Sequence, residues 1–165
     1  MAMANVYLIC GKLCSGKTWY AKQLRDEVGG VILSCDEIMF ALFDGELGDR
    51  HDDMAARVKQ YFFAKSLEIV HAGANVILEW GFWTAAWRRD ARAFYLEHGV
   101  PCQLHYMDVE NSAWLKQIEK RNDAVKAGLS NTYVVDEGLL KKLESLFEVP
   151  SEDEIDVYYF NCYGA

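Results

Sequence analysis

Short apolar runs alternate with longer amphipathic stretches along this chain, and the alternation predicts its elements. Residues 5–10 (NVYLIC) are an apolar run rich in strand formers that ends directly in a glycine-bearing loop, GKLCSGKT. Residues 17–28 then read as a helix stopped by Gly29 and Gly30. Residues 31–34 predict a second strand and residues 76–79 (VILE) a third. Between these two lie a short helix over 37–43, a polar loop over 44–53 and a helix from about 54 to 72. In that last helix Val58, Phe62, Phe63, Leu67 and Val70 recur at near-helical spacing and should face the core.

The second half repeats the alternation. Thr84 is placed to cap a helix that runs to His98 and closes at Gly99, and residues 102–107 (CQLHYM) predict a fourth strand. Ser112 is placed to cap the next helix, with Leu115, Ile118 and Val125 as its buried seam. Asp136 is placed to cap another, with Leu139, Leu140, Leu143 and Phe147 inward and Pro150 beyond its end. Residues 155–160 (IDVYYF) predict the last strand. Strands separated by helices pair in parallel through right-handed crossovers, so the expected class is α/β, a three-layer α/β/α sandwich around a mainly parallel sheet. At 165 residues, without internal repeat or linker, the chain is expected to form one domain over 1–165.

Charge and cysteine usage narrow the setting. A net charge of -8 argues against a large phosphate-tracking surface for nucleic acid, while leaving room for a local basic pocket. No apolar stretch approaches the roughly 20 residues that span a bilayer. The start MAMANVYLIC lacks the charged region and apolar core of an export signal, so the expected compartment is the cytoplasm. The cysteines Cys10, Cys14, Cys35, Cys102 and Cys162 form no C-x-x-C pair, which suits a reducing cytosol. His51, His71, His98 and His105 have no metal-binding spacing, and no zinc is assigned.

The chemistry concentrates in one loop. Gly11, Lys12, Leu13, Cys14, Ser15, Gly16, Lys17 and Thr18 match G-x-x-x-x-G-K-[ST] in full, between a predicted strand and a predicted helix. Glycines let backbone N–H groups close around a β-phosphate, and the helix N-terminus adds its positive end. Lys17 is expected to reach the β- and γ-phosphates and Thr18 to hold Mg²⁺ through its hydroxyl. No N-K-x-D guanine reader occurs, so ATP is expected.

Two acids stand at strand ends, where ligands of open α/β sheets bind. Asp36 follows the second strand and Glu79 ends the third. A carboxylate there can take the proton of an acceptor hydroxyl or hold the water shell of Mg²⁺. Glu79 suits a metal-water or substrate contact better than a base, and its other reading is a strand-end acid facing solvent. Asp36 also fits the first turn of a helix opened by a capping box, Ser34-x-x-Glu37.

Taken together, the GKLCSGKT loop, the LSCDEIMFALF segment, VILEWGFW followed by WRRDAR, and the later KRN resemble small P-loop kinases of the zeta-toxin, chloramphenicol phosphotransferase and polynucleotide kinase group. The resemblance covers most of the chain and implies a P-loop NTPase fold of the nucleoside-kinase type. It implies that Asp36 is the general base and that Arg121, in a lid-like segment around 114–135, contacts ATP phosphates or stacks near the adenine. Polynucleotide kinases and zeta toxins often carry an arginine three residues after the catalytic aspartate; here that position is Met39. The expected activity is transfer of the ATP γ-phosphate to a hydroxyl of a small molecule. A 5′-hydroxyl polynucleotide kinase, a nucleotide-sugar kinase and a nucleotide-dependent regulatory module are the alternatives.

Other positions stay open. Trp80, Phe82 and Trp83 either wall an acceptor pocket or pack under a helix. Arg88, Arg89 and Arg92 read first as a solvated helix face and second as phosphate contacts. Asp44, Glu46, Asp49, Asp52 and Asp53 crowd one loop, either as solvated charge or as a surface favouring a cationic acceptor.

Overall fold

The computed structural model describes residues 4–43, 47–130, 132 and 134–163. Asp44 and Glu46 of the acidic loop, and residues 131 and 133 of the lid-like segment, lie outside them. The chain runs through β1 (Val6–Cys10), α1 (Lys17–Val28), β2 (Gly30–Ser34), α2 (Cys35–Phe43) and α3 (His51–His71). It continues through β3 (Asn75–Gly81), α4 (Ala85–Glu97), β4 (Cys102–Val109), α5 (Asn111–Lys126), α6 (Glu137–Leu146) and β5 (Val157–Asn161). The strands form one sheet in the order β2-β3-β1-β4-β5, with every pairing parallel. Parallel neighbours need a long crossover, and a helix lies in each connection between successive strands.

β1 lies at the centre of the sheet with all five residues buried. The pleat divides its side chains between two layers. Val6, Leu8 and Cys10 join Phe62 and Val70 of α3 and Ala91 and Tyr95 of α4, while Tyr7 and Ile9 join Ala21 and Leu24 of α1. Burying each such aliphatic side chain contributes about 1.5–3 kcal/mol, so the strand that feeds the glycine loop is a rigid base for it. A smaller cluster, Val109, Trp114, Ile118 and Val135, packs against Leu13 and Cys14 of the loop itself.

The apolar face of α3 falls where its spacing predicts, since all five of its expected residues pack in the larger core cluster. Thr84 and Asp136 cap their helices through side-chain bonds from Trp87 N (3.1 Å) and Leu139 N (2.8 Å). α5 departs from expectation. Glu110, rather than Ser112, caps it, accepting from Ala113 N at 2.9 Å and from Ser112 Oγ at 2.5 Å. A carboxylate accepts more strongly than a hydroxyl and complements the helix N-terminus, and the Ser112 bonds hold the Glu110 pKa down to about 2. Leu115 is half exposed, and its neighbour Trp114 takes the buried place.

Candidate functional site

The chain leaves β1 at Cys10 and turns through residues 11–16 before α1 begins at Lys17. At the same level β3 carries one extra residue: Ile9 pairs with Glu79 but Cys10 with Gly81, leaving Trp80 as a bulge. Gly16 has a φ of 94°, and a Cβ there would strike the side-chain nitrogen of Asn161. A Cβ on Gly11 would lie 2.6 Å from the Met107 carbonyl oxygen. Cys14 adopts a φ of 58°, a left-handed conformation that costs a non-glycine residue about 1–2 kcal/mol. The loop is a strained, close-packed turn whose glycines are required by contact and conformation.

Lys17 is half-buried, and its Nζ donates to the Lys12 carbonyl oxygen at 2.6 Å. Burial pushes its pKa down, opposed by the carboxylates of Glu79 and Asp36. Glu79 is 7% exposed. Its Oε1 accepts from Thr18 Oγ1 at 3.3 Å and its Oε2 from Ser34 Oγ at 2.9 Å. Burial pushes its pKa up, opposed by the charge of Lys17 and by the two hydroxyls. The solvent-facing reading of Glu79 is therefore corrected: the bulge and the neighbouring hydroxyls hold it inside.

Ser34 has two partners, because its oxygen also accepts from Glu37 N at 3.4 Å. The Ser34 half of the capping box is thus present, and the same hydroxyl fixes Glu79. Asp36 is exposed in the first turn of α2. Lys17, Thr18, Ser34, Asp36 and Glu79 so gather at the carboxyl ends of β1, β2 and β3, where the sheet opens to a ligand. A hydroxyl and a carboxylate are the hard oxygen donors that suit Mg²⁺, and an ammonium spent on a backbone carbonyl can turn to a phosphate. The residues fit a magnesium-bound polyphosphate.

A family model described as an AAA domain matches residues 6–150, a span that holds the loop, Asp36, Glu79 and Arg121. The chain belongs to the AAA domain family. Among curated proteins no match is found. The AAA domain superposes on a putative kinase from Chloroflexus aurantiacus with a TM-score of 0.74 at 13% identity, covering 99% of this chain and 88% of that one. Kti12 of Chaetomium thermophilum, solved with ADP-AlF3, gives 0.70 at 12%, covering 96% and 89%. The APS kinase of Mycobacterium tuberculosis, solved with AMPPNP and APS, gives 0.68 at 14%, covering 97% and 90%. At these identities the likeness is one of fold, and the fold is that of the small P-loop kinases.

Several expectations around the site change. Arg88 of this AAA domain is 1% exposed and is no part of a solvated face. Its guanidinium donates to Glu154 at 2.9 and 3.2 Å and to the carbonyls of Phe82 and Glu148 at 3.1 and 2.9 Å. Arg92 is half-buried and donates to Asp156 at 2.5 Å, while Arg89 stays exposed beside Asp90. The sequence showed three arginines on one helix but not the chain that returns over two of them. Trp80 and Phe82 stack in the core at 4.9 Å between ring centroids, whereas Trp83 turns to the loop and donates to Gly11 O at 3.2 Å. Met39 is buried at 2% exposure, so its side chain faces the core.

α5 brings Arg121 to the loop, with Nη1 at 3.7 Å from Cys14 Sγ. Trp114 of the same helix donates to Leu13 O at 2.6 Å. Asn161 donates from its amide to Ser15 O at 3.1 Å, and the Tyr163 hydroxyl donates to Cys14 O. Sequence reasoning missed Ser34 as a partner of Glu79, and missed Trp114, Asn161 and Tyr163 altogether. A serine at the end of a strand gave a signal for the first; for the others the contacts span some hundred residues or more and leave no local pattern.

Proposed function

We propose that this AAA domain is an ATP-dependent phosphotransferase that moves the γ-phosphoryl group of ATP to a hydroxyl of a small-molecule acceptor. The observation that carries the reading is the shared end of the sheet, where a desolvated Lys17 and a buried, doubly bonded Glu79 stand beside an exposed Asp36. Lys17 turns from the Lys12 carbonyl to the β- and γ-phosphates, where the loop N–H groups and the start of α1 add further positive potential. Thr18 and, through water, Glu79 are the residues that would hold Mg²⁺. Held there, Mg²⁺ would supply positive charge against the negative charge that develops on the transferred phosphoryl group.

Asp36 takes the proton of the acceptor hydroxyl while its oxygen forms the new bond to the γ-phosphorus and ADP leaves with the electrons of the broken bond. Its exposure favours this role over Glu79, whose two oxygens already accept hydroxyl protons. Arg121, beside Cys14, is placed to meet phosphate charge from the α5 side. Burial of Met39 leaves no cation from that position for an acceptor phosphate, which favours a small acceptor over a polynucleotide.

The test is acceptor-dependent ADP release across panels of metabolites, antibiotics and oligonucleotides, with calorimetric Mg-ATP binding to wild type and Lys17→Ala. The expected result is tight Mg-ATP binding lost in a folded Lys17→Ala protein, and ADP release stimulated by a small hydroxylated compound. Mg-ATP binding that survives Lys17→Ala would overturn the site. Binding without stimulation by any acceptor would turn the reading to a nucleotide-dependent regulatory module.

A further inference from the structure

Five consecutive carbonyls of the glycine loop each accept a hydrogen bond from a side chain. Gly11 O is held by Trp83 Nε1 at 3.2 Å, Lys12 O by Lys17 Nζ at 2.6 Å and Leu13 O by Trp114 Nε1 at 2.6 Å. Cys14 O is held by the Tyr163 hydroxyl and Ser15 O by the Asn161 amide at 3.1 Å. Apart from Lys17, the donors come from the segment after β3, from α5, from β5 and from the residues just beyond it. Each is itself fixed. Arg88 Nη1 and Glu148 N donate to Trp83 O, Trp114 is 3% exposed, and Tyr163 N donates to Asn161 Oδ1 at 3.0 Å.

A trans peptide is planar, with its C=O and the next N–H pointing in opposite directions. Holding carbonyls 11, 13, 14 and 15 therefore also fixes the N–H groups of residues 12, 14, 15 and 16, each pointing away from the carbonyl before it. Ser15 N–H closes an internal turn onto Lys12 O at 3.2 Å. Successive N–H groups of such a turn attract anions, but only while the backbone is held in place. Here the strained φ at Cys14 shows that the loop does not rest in this shape by local preference.

We propose that Trp83, Trp114, Asn161 and Tyr163 are positioning residues that pre-form the phosphate-binding loop by holding its carbonyls from outside, without touching the nucleotide. The inference rests on the nucleotide reading of the same loop. It predicts that affinity is lost for the phosphate chain itself, irrespective of what is attached to it, because the donors act on the loop backbone.

The experiment compares Tyr163→Phe, Trp114→Phe and Asn161→Asp with wild type. Calorimetry measures binding of Mg-ATP and of Mg-pyrophosphate, at a temperature where melting curves show every protein folded. Each aromatic variant removes one donor and keeps a ring, and each should weaken both probes by the same factor, about twofold to tenfold. Asn161→Asp keeps its shape but sets an acceptor against Ser15 O, and should lose more. Lowered melting temperature with unchanged affinity for both probes would overturn the inference, reducing the contacts to a structural role. Loss for ATP with pyrophosphate unchanged would overturn it too, since a contact to base or ribose then explains the residue. A wild type that binds neither probe would overturn the nucleotide reading, and this inference with it.

Discussion

Asp36 and Glu79 are carboxylates at the same end of one sheet, one exposed and one buried, and on the proposed reading this difference divides the work between them. Asp36 is free to meet an acceptor, so Asp36→Asn is expected to leave Mg-ATP affinity nearly intact while acceptor-dependent turnover falls about a hundredfold to ten-thousandfold. Steady-state ADP release and calorimetry on the one variant check both halves; near-normal turnover would move the base elsewhere. Both acids were legible in the sequence because each follows an apolar run that ends at the mouth of the sheet. The burial of Glu79 was not, since it depends on a bulge at Trp80 and on hydroxyls from two other segments. Arg88 was misplaced for the same reason: helical spacing gives the face of a residue, but not what lies over that face.

Helices whose caps are local were legible to within a residue or two. Asp136 accepts from Leu139 N at 2.8 Å at the start of α6, and Asp136→Ala is expected to cost about 1 kcal/mol. Chemical denaturation should show that loss with mononucleotide affinity unchanged, and an unaltered midpoint would deny the cap its role. In α5 Ile118 is buried as expected, but the neighbouring core position belongs to Trp114 and not to Leu115. Leucine and tryptophan are both apolar, so the pattern alone cannot choose between them. The choice falls on the side chain whose N–H finds a partly buried carbonyl, Leu13 O, some hundred residues away. The strands fared better, because a parallel sheet buries its centre on both faces and writes that burial as continuous apolar runs.

Across the whole molecule the parallel class followed from the alternation of elements, whereas the strand order and the ties that close the structure did not. Arg88 joins residues 82, 148 and 154, and its hydrogen bonds hold the Glu154 pKa down to about 2 from 4.5. A depressed carboxyl gives stability that is present above 4.5 and lost as pH falls toward 2. His105 behaves likewise at higher pH. Burial lowers its pKa from 6.5 to about 4, and a neutral ring can accept from Tyr20 at 2.8 Å while donating to Gln103 at 3.2 Å, so its share is lost as pH falls from 6.5 toward 4. Acid unfolding is therefore expected to show two windows. Arg88→Met should narrow the lower one, leaving the share that the Ser151 bonds to Glu154 supply, and cost about 3 kcal/mol at neutral pH, as the loss of one partner of a buried pair does; denaturation midpoints across the pH range measure both. The outside grip on the glycine loop has a consequence in time as well. Two of its donors are made 146 and 149 residues after the carbonyls they hold. During synthesis β1 to β4 therefore exist before the loop can be fully held, so on the proposed reading a nucleotide rewards the arrival of β5 and gives no help to the strands made before it.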